Sequence, residues 1–297
     1  MASSHSDRSP VGESRGDGPR SDGQSAEGKL PGGTANVVVR AGDTVRRQTG
    51  PWTPAVRALL THLESVGFGD APTFLGIDER GREVLSLVAG EVGLANPGTP
   101  LAPWFRTPEA CAAIGDWLHR FHEAQRGFRP DPDLPWRTCA GRALRDGEVV
   151  VHHDVAPYNT ILRPDGGLTV IDWDFCAPGD PVEDLAFAAW QWVPLRADRD
   201  AVAAGYGGVM TVLEAAAKLA ALADGYDAST EQRSRLVDAC AVRMVSHADG
   251  LEALAVTDPT SARLVDLWIS RNARLDAGWV RENEAALSSA VSGRRGS

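Results

Sequence analysis

Several things that define other protein classes are scarce in this sequence of 297 residues. Cysteine is one: Cys111, Cys139, Cys176 and Cys240 lie far apart and form no C-x-x-C pair. That spacing offers no thiolate metal site, and at this length it argues against a disulfide framework, so reduced thiols in a cytosol are expected. No apolar run approaches the roughly 18 residues that a membrane span requires. The N-terminus lacks the apolar core of a signal peptide. A basic stripe is also missing: the formal net charge is -10, the wrong sign for a chain that neutralises nucleic-acid phosphates. Such acidity would suit a cationic small substrate, although it also serves solubility in general. A cytoplasmic protein with neither nucleic-acid nor membrane partner is therefore expected, and oligomeric state leaves no signature. Residues 1–30 are short of large apolar side chains. They cannot offset roughly 1–2 kcal/mol of backbone entropy per ordered residue, so a disordered tail is expected there. A frayed tail is expected over 290–297.

Elsewhere the composition is ordinary for a globular protein, with 43% hydrophobic and 24% charged residues, and the chain is long enough to bury a core. The informative stretch runs from Val149 to Ala186. The apolar run Val149-Val150-Val151 leads into His152-His153-Asp154, and Asn159 follows five residues after Asp154. Arg163-Pro164-Asp165-Gly166-Gly167 has the residue types that reverse a chain. The strand Leu168-Thr169-Val170-Ile171 then delivers Asp172. The pattern is H-x-D-x-x-x-x-N, a hairpin, and a second Asp at a strand end.

That pattern suits phosphoryl transfer. Moving a γ-phosphoryl group takes a carboxylate at the incoming hydroxyl and oxygen ligands for Mg²⁺ on the phosphates, with little covalent work for the protein. Mg²⁺ often draws only one or two ligands from protein, the others being water and phosphate. Asp154 fits the base, Asn159 an amide oxygen on the metal, and Asp172 the main metal carboxylate. Asp174 reads as a solvated carboxylate or one standing behind the metal ligands.

These residues resemble the catalytic and metal loops of the aminoglycoside phosphotransferase and choline kinase-like family, relatives of the protein kinases. The family's H-G-D-x-x-x-x-N is matched by His152-His153-Asp154 through Asn159. Its I-D…G-D-P-x-x-D-L-A is matched by Ile171-Asp172 and by Gly179-Asp180-Pro181-Val182-Glu183-Asp184-Leu185-Ala186. The resemblance implies ATP and Mg²⁺ in a cleft between two lobes. It also implies that His152 braces the catalytic loop and that Asp184 steadies it from a helix start. His153 stands where the family has Gly, a position that constrains the backbone or touches substrate.

Upstream, Val37–Arg40 and Thr44–Arg47 read as a hairpin around Ala41-Gly42-Asp43, preceded by Gly32-Gly33. In the family this region covers ATP with a Gly-containing loop and offers a strand Lys to the phosphates. Here that Lys is absent; Arg46 sits nearest its position, with Arg47 one residue away on the opposite strand face. The helix opened by Thr53-Pro54 buries Val56, Leu59, Leu60 and Leu63 at i, i+3, i+4 and i+7. Its only Glu is Glu64, late in the helix, so the family's Lys–Glu ion pair reads as rebuilt or lost. Phe74–Ile77 and Glu83–Val88 read as strands. The second resembles the inter-lobe hinge, which implies adenine contacts from Leu85, Leu87 and Val88.

Thr107 caps a helix that packs Ile114, Trp117, Leu118 and Phe121, with His119 and His122 as packing groups. The loop from Phe128 to Trp136 reads as exposed. Helices are expected over Asp184–Trp192, Arg199–Ala223 and from a capping box at Ser229. A last helix is expected from Pro259 to about Ala286, broken at Gly278, with Leu264, Leu267, Trp268 and Leu275 packed. In this family acceptor contacts come from the C-terminal helices, where Asp249, Glu252 and Asp266 are the acidic candidates.

The sequence thus predicts an α+β, bilobal protein-kinase-like fold. Its parts would be a β-rich N-lobe over 31–91 and a mainly helical C-lobe over 92–289. The expected activity is ATP- and Mg²⁺-dependent transfer to a hydroxyl of a small molecule. The alternative is a pseudokinase-like binding protein, favoured by the missing Lys and opposed by Asp154, Asn159 and Asp172 together.

Overall fold

A computed structural model describes residues 27–29, 38–93, 100–196, 210–257 and 259–293. Five strands form an antiparallel sheet in the order β1-β2-β3-β5-β4: β1 Gly28–Lys29, β2 Val39–Ala41, β3 Thr44–Gln48, β4 Phe74–Ile77 and β5 Arg82–Ser86. β1 falls inside the tail expected over residues 1–30; Glu27 just before it pairs with Arg82 at 2.7 Å, giving the strand an electrostatic anchor. The rest of that tail, and the Gly32-Gly33 loop, lie outside the described residues. Helix α1 (Thr53–Ser65) packs its Val56, Leu59, Leu60 and Leu63 stripe into the core. Its N-cap is Trp52 rather than Thr53, whose hydroxyl instead accepts the Gly50 N–H at 2.9 Å.

Beyond β6 (Glu91–Val92) the chain becomes mainly helical. Thr107 caps α2 (Pro108–Ala124) by accepting the Ala110 N–H, and Ile114, Trp117, Leu118 and Phe121 are buried along it. Strand β7 (Val149–Val151) pairs antiparallel with β10 (Ala177–Gly179). Between them β8 (Thr160–Leu162) and β9 (Leu168–Val170) form a hairpin whose outer edge takes β6. Helix α3 (Pro181–Trp192) starts from a full capping box, Asp180 with Glu183. Helix α4 (Val212–Gly225) crosses α2 so closely that a side chain at Gly115 would collide with the Leu222 carbonyl. The earlier part of the helix expected from Arg199 lies outside the described residues. Helix α5 (Thr230–Ala255) opens with the Ser229–Gln232 capping box and buries Leu236, Cys240 and Met244.

The C-terminal end differs from its expectation. In place of one helix there are three: α6 (Pro259–Asp266), α7 (Ile269–Glu282) and α8 (Glu284–Ser292). The breaks fall at Trp268, in a left-handed conformation, and at Asn283, whereas Gly278 is interior to α7. Leu267, Trp268 and Leu275 are exposed; the packed face of α7 is Ala273, Ala277 and Val280. Small residues allow α7 to lie close against α5, so the larger apolar side chains face outward. Val291 is buried within the stretch expected to fray. Phe128 and Trp136 are likewise buried although their loop was expected to be exposed; Phe128 lies 5.1 Å from the His62 ring.

The result is an α+β, bilobal fold with a small β-rich lobe and a mainly helical one. Its core centres on Trp117, Phe121, Trp173 and Trp192. No helix among the described residues is long and apolar enough to cross a membrane.

Candidate active site

Leaving β7, the chain turns sharply under Asp184. This carboxylate is fully buried and accepts the His152 N–H at 2.8 Å and the His153 N–H at 2.7 Å. His122 Nε2 lies 3.1 Å from it, and His122 Nδ1 is 2.8 Å from the Tyr226 hydroxyl. Burial alone would raise Asp184, yet its bond to His122 and the nearby histidines hold it down to about 2. His122 is therefore part of the polar scaffold under the loop and not only a packing group. His152 is buried edge-on against Trp173, 4.7 Å between rings, and burial keeps it neutral with a pKa near 4. Its Nδ1 accepts the Asp154 N–H at 3.3 Å.

His153 has φ 65°, a left-handed conformation that Gly adopts freely and other residues adopt at a cost. The geometry explains why the family places Gly here. The ring is held between the Phe175 carbonyl (3.1 Å) and Glu183 Oε2 (3.0 Å), contacts that offset the strain. The His153 carbonyl accepts from Arg243 on α5 at 3.1 Å.

Asp154 follows. Its Oδ1 accepts the Tyr158 hydroxyl at 2.7 Å and its Oδ2 accepts Asn159 Nδ2 at 2.7 Å. Burial raises its pKa to about 7, with the Asp172 charge adding to the rise and the Tyr158 and Asn159 bonds opposing it. The hairpin brings the remaining partners in. Thr160 is opposite Val170, and the Ile171 N–H bonds to the Asn159 carbonyl at 2.8 Å, so Asp172 emerges one residue beyond Asn159's partner. Asp172 also has a left-handed backbone, φ 64°, which turns the chain into the short helical turn Trp173–Phe175. Its place in the cleft raises its pKa, while Arg47 pulls it back.

From the sheet side, Arg47 rather than Arg46 reaches these groups. Arg47 bonds Glu83 at 2.6 Å, Asp172 at 2.9 Å and Asp174 at 2.8 Å. Arg46 lies on the other strand face with Thr44 and, at 3.7 Å, Asp78. The partner of the strand cation is Glu83, directly across from Arg47 in the β3–β5 register; Glu64 on α1 is exposed and takes no part. Composition gave no sign of Glu83, but a register assigned to the two strands would have found it. Asp174 is buried and also bonds Arg137 at 3.3 Å; that guanidinium lies 4.7 Å from the Trp52 ring and 4.5 Å from Phe175. Of the expected hinge residues Leu85 is buried, Leu87 and Val88 are half-buried, and the Leu87 N–H bonds the Asp43 carbonyl at 3.0 Å. Asp249 and Glu252 both pair with Arg274 on the outer face of α5, and Asp266 is exposed.

No cluster of three or more His, Cys, Asp or Glu side chains among the described residues could hold a metal. The donor set at the cleft is a carboxylate and an amide. Asp172 commits Oδ1 to Arg47 and Asn159 commits Nδ2 to Asp154. Their other oxygens have no protein partner among the described residues. Two hard oxygens fit a cation that takes its other ligands from phosphate and water.

Comparisons with known proteins point to one family and one fold. A model of the phosphotransferase enzyme family (APH) matches residues 136–222, the segment that holds the loop, the hairpin and α3. The trifolitoxin immunity protein of Rhizobium leguminosarum bv. trifolii is 35% identical over 265 residues, covering 88% of this chain and 97% of that protein. Among solved structures, a choline/ethanolamine kinase family protein from Mesorhizobium loti superposes with a TM-score of 0.57 at 18% identity, covering 93% of this chain and 96% of that one. An ADP-bound aminoglycoside phosphotransferase, APH(2'')-Ib, gives 0.51 at 11% identity, covering 87% and 95%.

Proposed function

Because this chain belongs to the aminoglycoside phosphotransferase and choline kinase-like family of phosphotransferases, we propose that it transfers the γ-phosphoryl group of ATP to a hydroxyl of a small molecule, with Mg²⁺. The observation that carries this reading is the hydrogen-bonded set of Asp154 and Asn159 beside Asp172, on a hairpin that leaves no slack between them. A carboxylate with a pKa near 7 is suited to take a hydroxyl proton at neutral pH. In the transfer, the acceptor oxygen bonds the γ-phosphorus as the bond to the β–γ bridging oxygen breaks; ADP leaves, and the hydroxyl proton passes to Asp154. His152 and Asp184 act through the loop backbone, fixing where Asp154 stands. Asn159 and Asp172 would hold Mg²⁺, whose charge offsets that of the phosphates.

Arg47 takes the place of the family's strand Lys, and Arg46 has no part in it. The Leu87 amide is committed to Asp43, so adenine contact falls to the Leu87 carbonyl and the Val88 amide, over Leu85. Replacing Asp154 with Asn tests the assignment. ADP release on a true acceptor is expected to fall roughly 10²–10⁴-fold, while calorimetry finds ATP·Mg affinity retained. Wild-type turnover in Asp154→Asn would remove Asp154 from the role.

A binding protein without transfer activity is the second reading. Tyr158 occupies one oxygen of Asp154 and Arg47 occupies one of Asp172. The relative above is described as an immunity protein, and sequestering a toxin needs no chemistry. Mg²⁺-dependent ATP binding together with slow ATP hydrolysis favours the enzyme; silence in both favours the binder.

A further inference from the structure

Helices α3 and α5 both reach the loop, α3 through Glu183 and Asp184 and α5 through Arg243. Arg243 reaches the loop from α5, and its only hydrogen bond among the described residues goes from Nη2 to the His153 carbonyl at 3.1 Å. Its Nε is buried without a hydrogen-bond partner, and no carboxylate among the described residues is within ion-pair distance. A guanidinium has five N–H donors in a planar fork; Arg243 is half-buried, so donors beyond the one on His153 can turn to a ligand. The Phe187 ring lies 5.2 Å from Cζ and covers one face of it. His247 follows one helical turn later on α5, against Trp190 at 5.2 Å; burial, with Arg243 and Arg196 adding, lowers its pKa to about 4 and leaves it neutral, and Arg196 pairs with Asp276 at 3.5 Å.

The negative groups in reach of Arg243 are Glu183, Asp184 and Asp154, with the Tyr158 hydroxyl beside them. Each carboxylate already has partners: Glu183 the His153 ring and the Asp180 N–H, Asp184 two backbone amides and His122, Asp154 Tyr158 and Asn159. Burial accordingly pulls the Arg243 pKa below its ordinary value. Water reaches part of this half-buried charge, and an anionic ligand would complete it more fully. The Tyr158 hydroxyl, held by Asp154, marks the place that an incoming hydroxyl would take.

We infer that Arg243 is the anion seat of the acceptor site: the molecule that offers its hydroxyl to Asp154 carries a carboxylate or a phosphate ester, gripped by the guanidinium. The inference rests on Asp154 as the group that receives the hydroxyl. It runs against the cationic acceptor that the net charge of -10 suggested. The overall charge is spread over the surface, whereas the acceptor meets the few side chains beside Asp154.

Acceptors on one three-carbon skeleton provide the test: glycerol (neutral), glycerate (carboxylate) and glycerol phosphate (phosphate ester), with choline as the cation. ADP release is followed for the wild type, Arg243→Gln and Arg243→Lys, and calorimetry follows glycerate and glycerol phosphate binding to the ADP·Mg²⁺ complex. The expected result is that at least one anion is preferred over glycerol in kcat/KM. That preference should shrink roughly 10–100-fold in Arg243→Gln, mainly through KM, and return in part in Arg243→Lys. The two anions tell a carboxylate seat from a phosphate seat. Preference for choline or glycerol, or an equal fall in kcat for every acceptor in Arg243→Gln, overturns the inference and leaves phosphoryl transfer standing. Arg243-dependent heat with neither ADP release on any acceptor nor slow ATP hydrolysis supports the anion seat and counts against phosphoryl transfer instead. If neither anion gives Arg243-dependent heat or turnover, the anion seat is wrong.

Discussion

Two arginines reach the loop region, Arg47 from strand β3 and Arg243 from helix α5, and their surroundings could hardly differ more. On the sheet side Arg47 is matched by Glu83, Asp172 and Asp174 within 2.9 Å. Their charges raise its pKa against the pull of burial. On the helical side Arg243 has one carbonyl and no ion pair among the described residues. A buried charge that the fold completes by itself is a structural member. One that the fold leaves without an ion pair among the described residues is open to the charge of a ligand.

The largest effect should come from breaking the completed side. Arg47→Met strands the buried Glu83 and takes one of its partners from Asp174, which keeps Arg137, and is expected to cost about 3–5 kcal/mol of unfolding free energy in urea titrations. Next comes the loop scaffold. In Asp184→Asn one acceptor oxygen becomes an NH₂ that faces N–H donors, a loss of about 2–3 kcal/mol. Asp184 is held near 2 against an ordinary 3.8, so its contribution is complete above pH ~4 and fades as pH falls toward ~2. The variant should lack that part of the acid-unfolding curve.

Asp154 should behave with the opposite sign. Its folded pKa, about 7, lies above the ordinary 3.8, so ionising it costs the folded state more and more as pH climbs from ~4 to ~7. Asp154→Asn is expected to raise Tm by roughly 2–4 °C at pH 8 and to change little at pH 4. Arg243→Gln should move stability least, within about 1 kcal/mol in the ligand-free protein. A loss as large as that of Arg47→Met would erase the contrast between the two arginines and make Arg243 a structural charge.

The loop and hairpin were legible because their signals are local. Asp154 and Asn159 are five residues apart, and the turn Arg163–Gly167 forces the register that returns Asp172 to Asn159. The capping box at Ser229 was equally local; the one at Asp180 starts its helix three residues ahead of the Asp184 start that the sequence suggests. The choice between Arg46 and Arg47 was not, since period two puts them on opposite faces without saying which face is inward. Pairing with β5 decides it by setting Glu83 across from Arg47. The faces of the last helices were misread because large apolar residues there are on the outside and alanines make the contact. Tyr158 was passed over although it stands four residues after Asp154 on the same loop, a spacing within easy reach of it.

The sequence by itself determined the local signals: where capped helices such as that after Thr107 start, where the hairpin turns, and which oxygen-bearing side chains travel together on it. Those outcomes depend on backbone propensity and on bonds between residues a few positions apart. Only the tertiary structure decided which charges meet, bringing Arg47 to Asp172 across 125 positions and Arg243 to the His153 carbonyl across 90. The energy of a buried charge depends on every group around it, and those groups come from parts of the chain that share nothing until it folds.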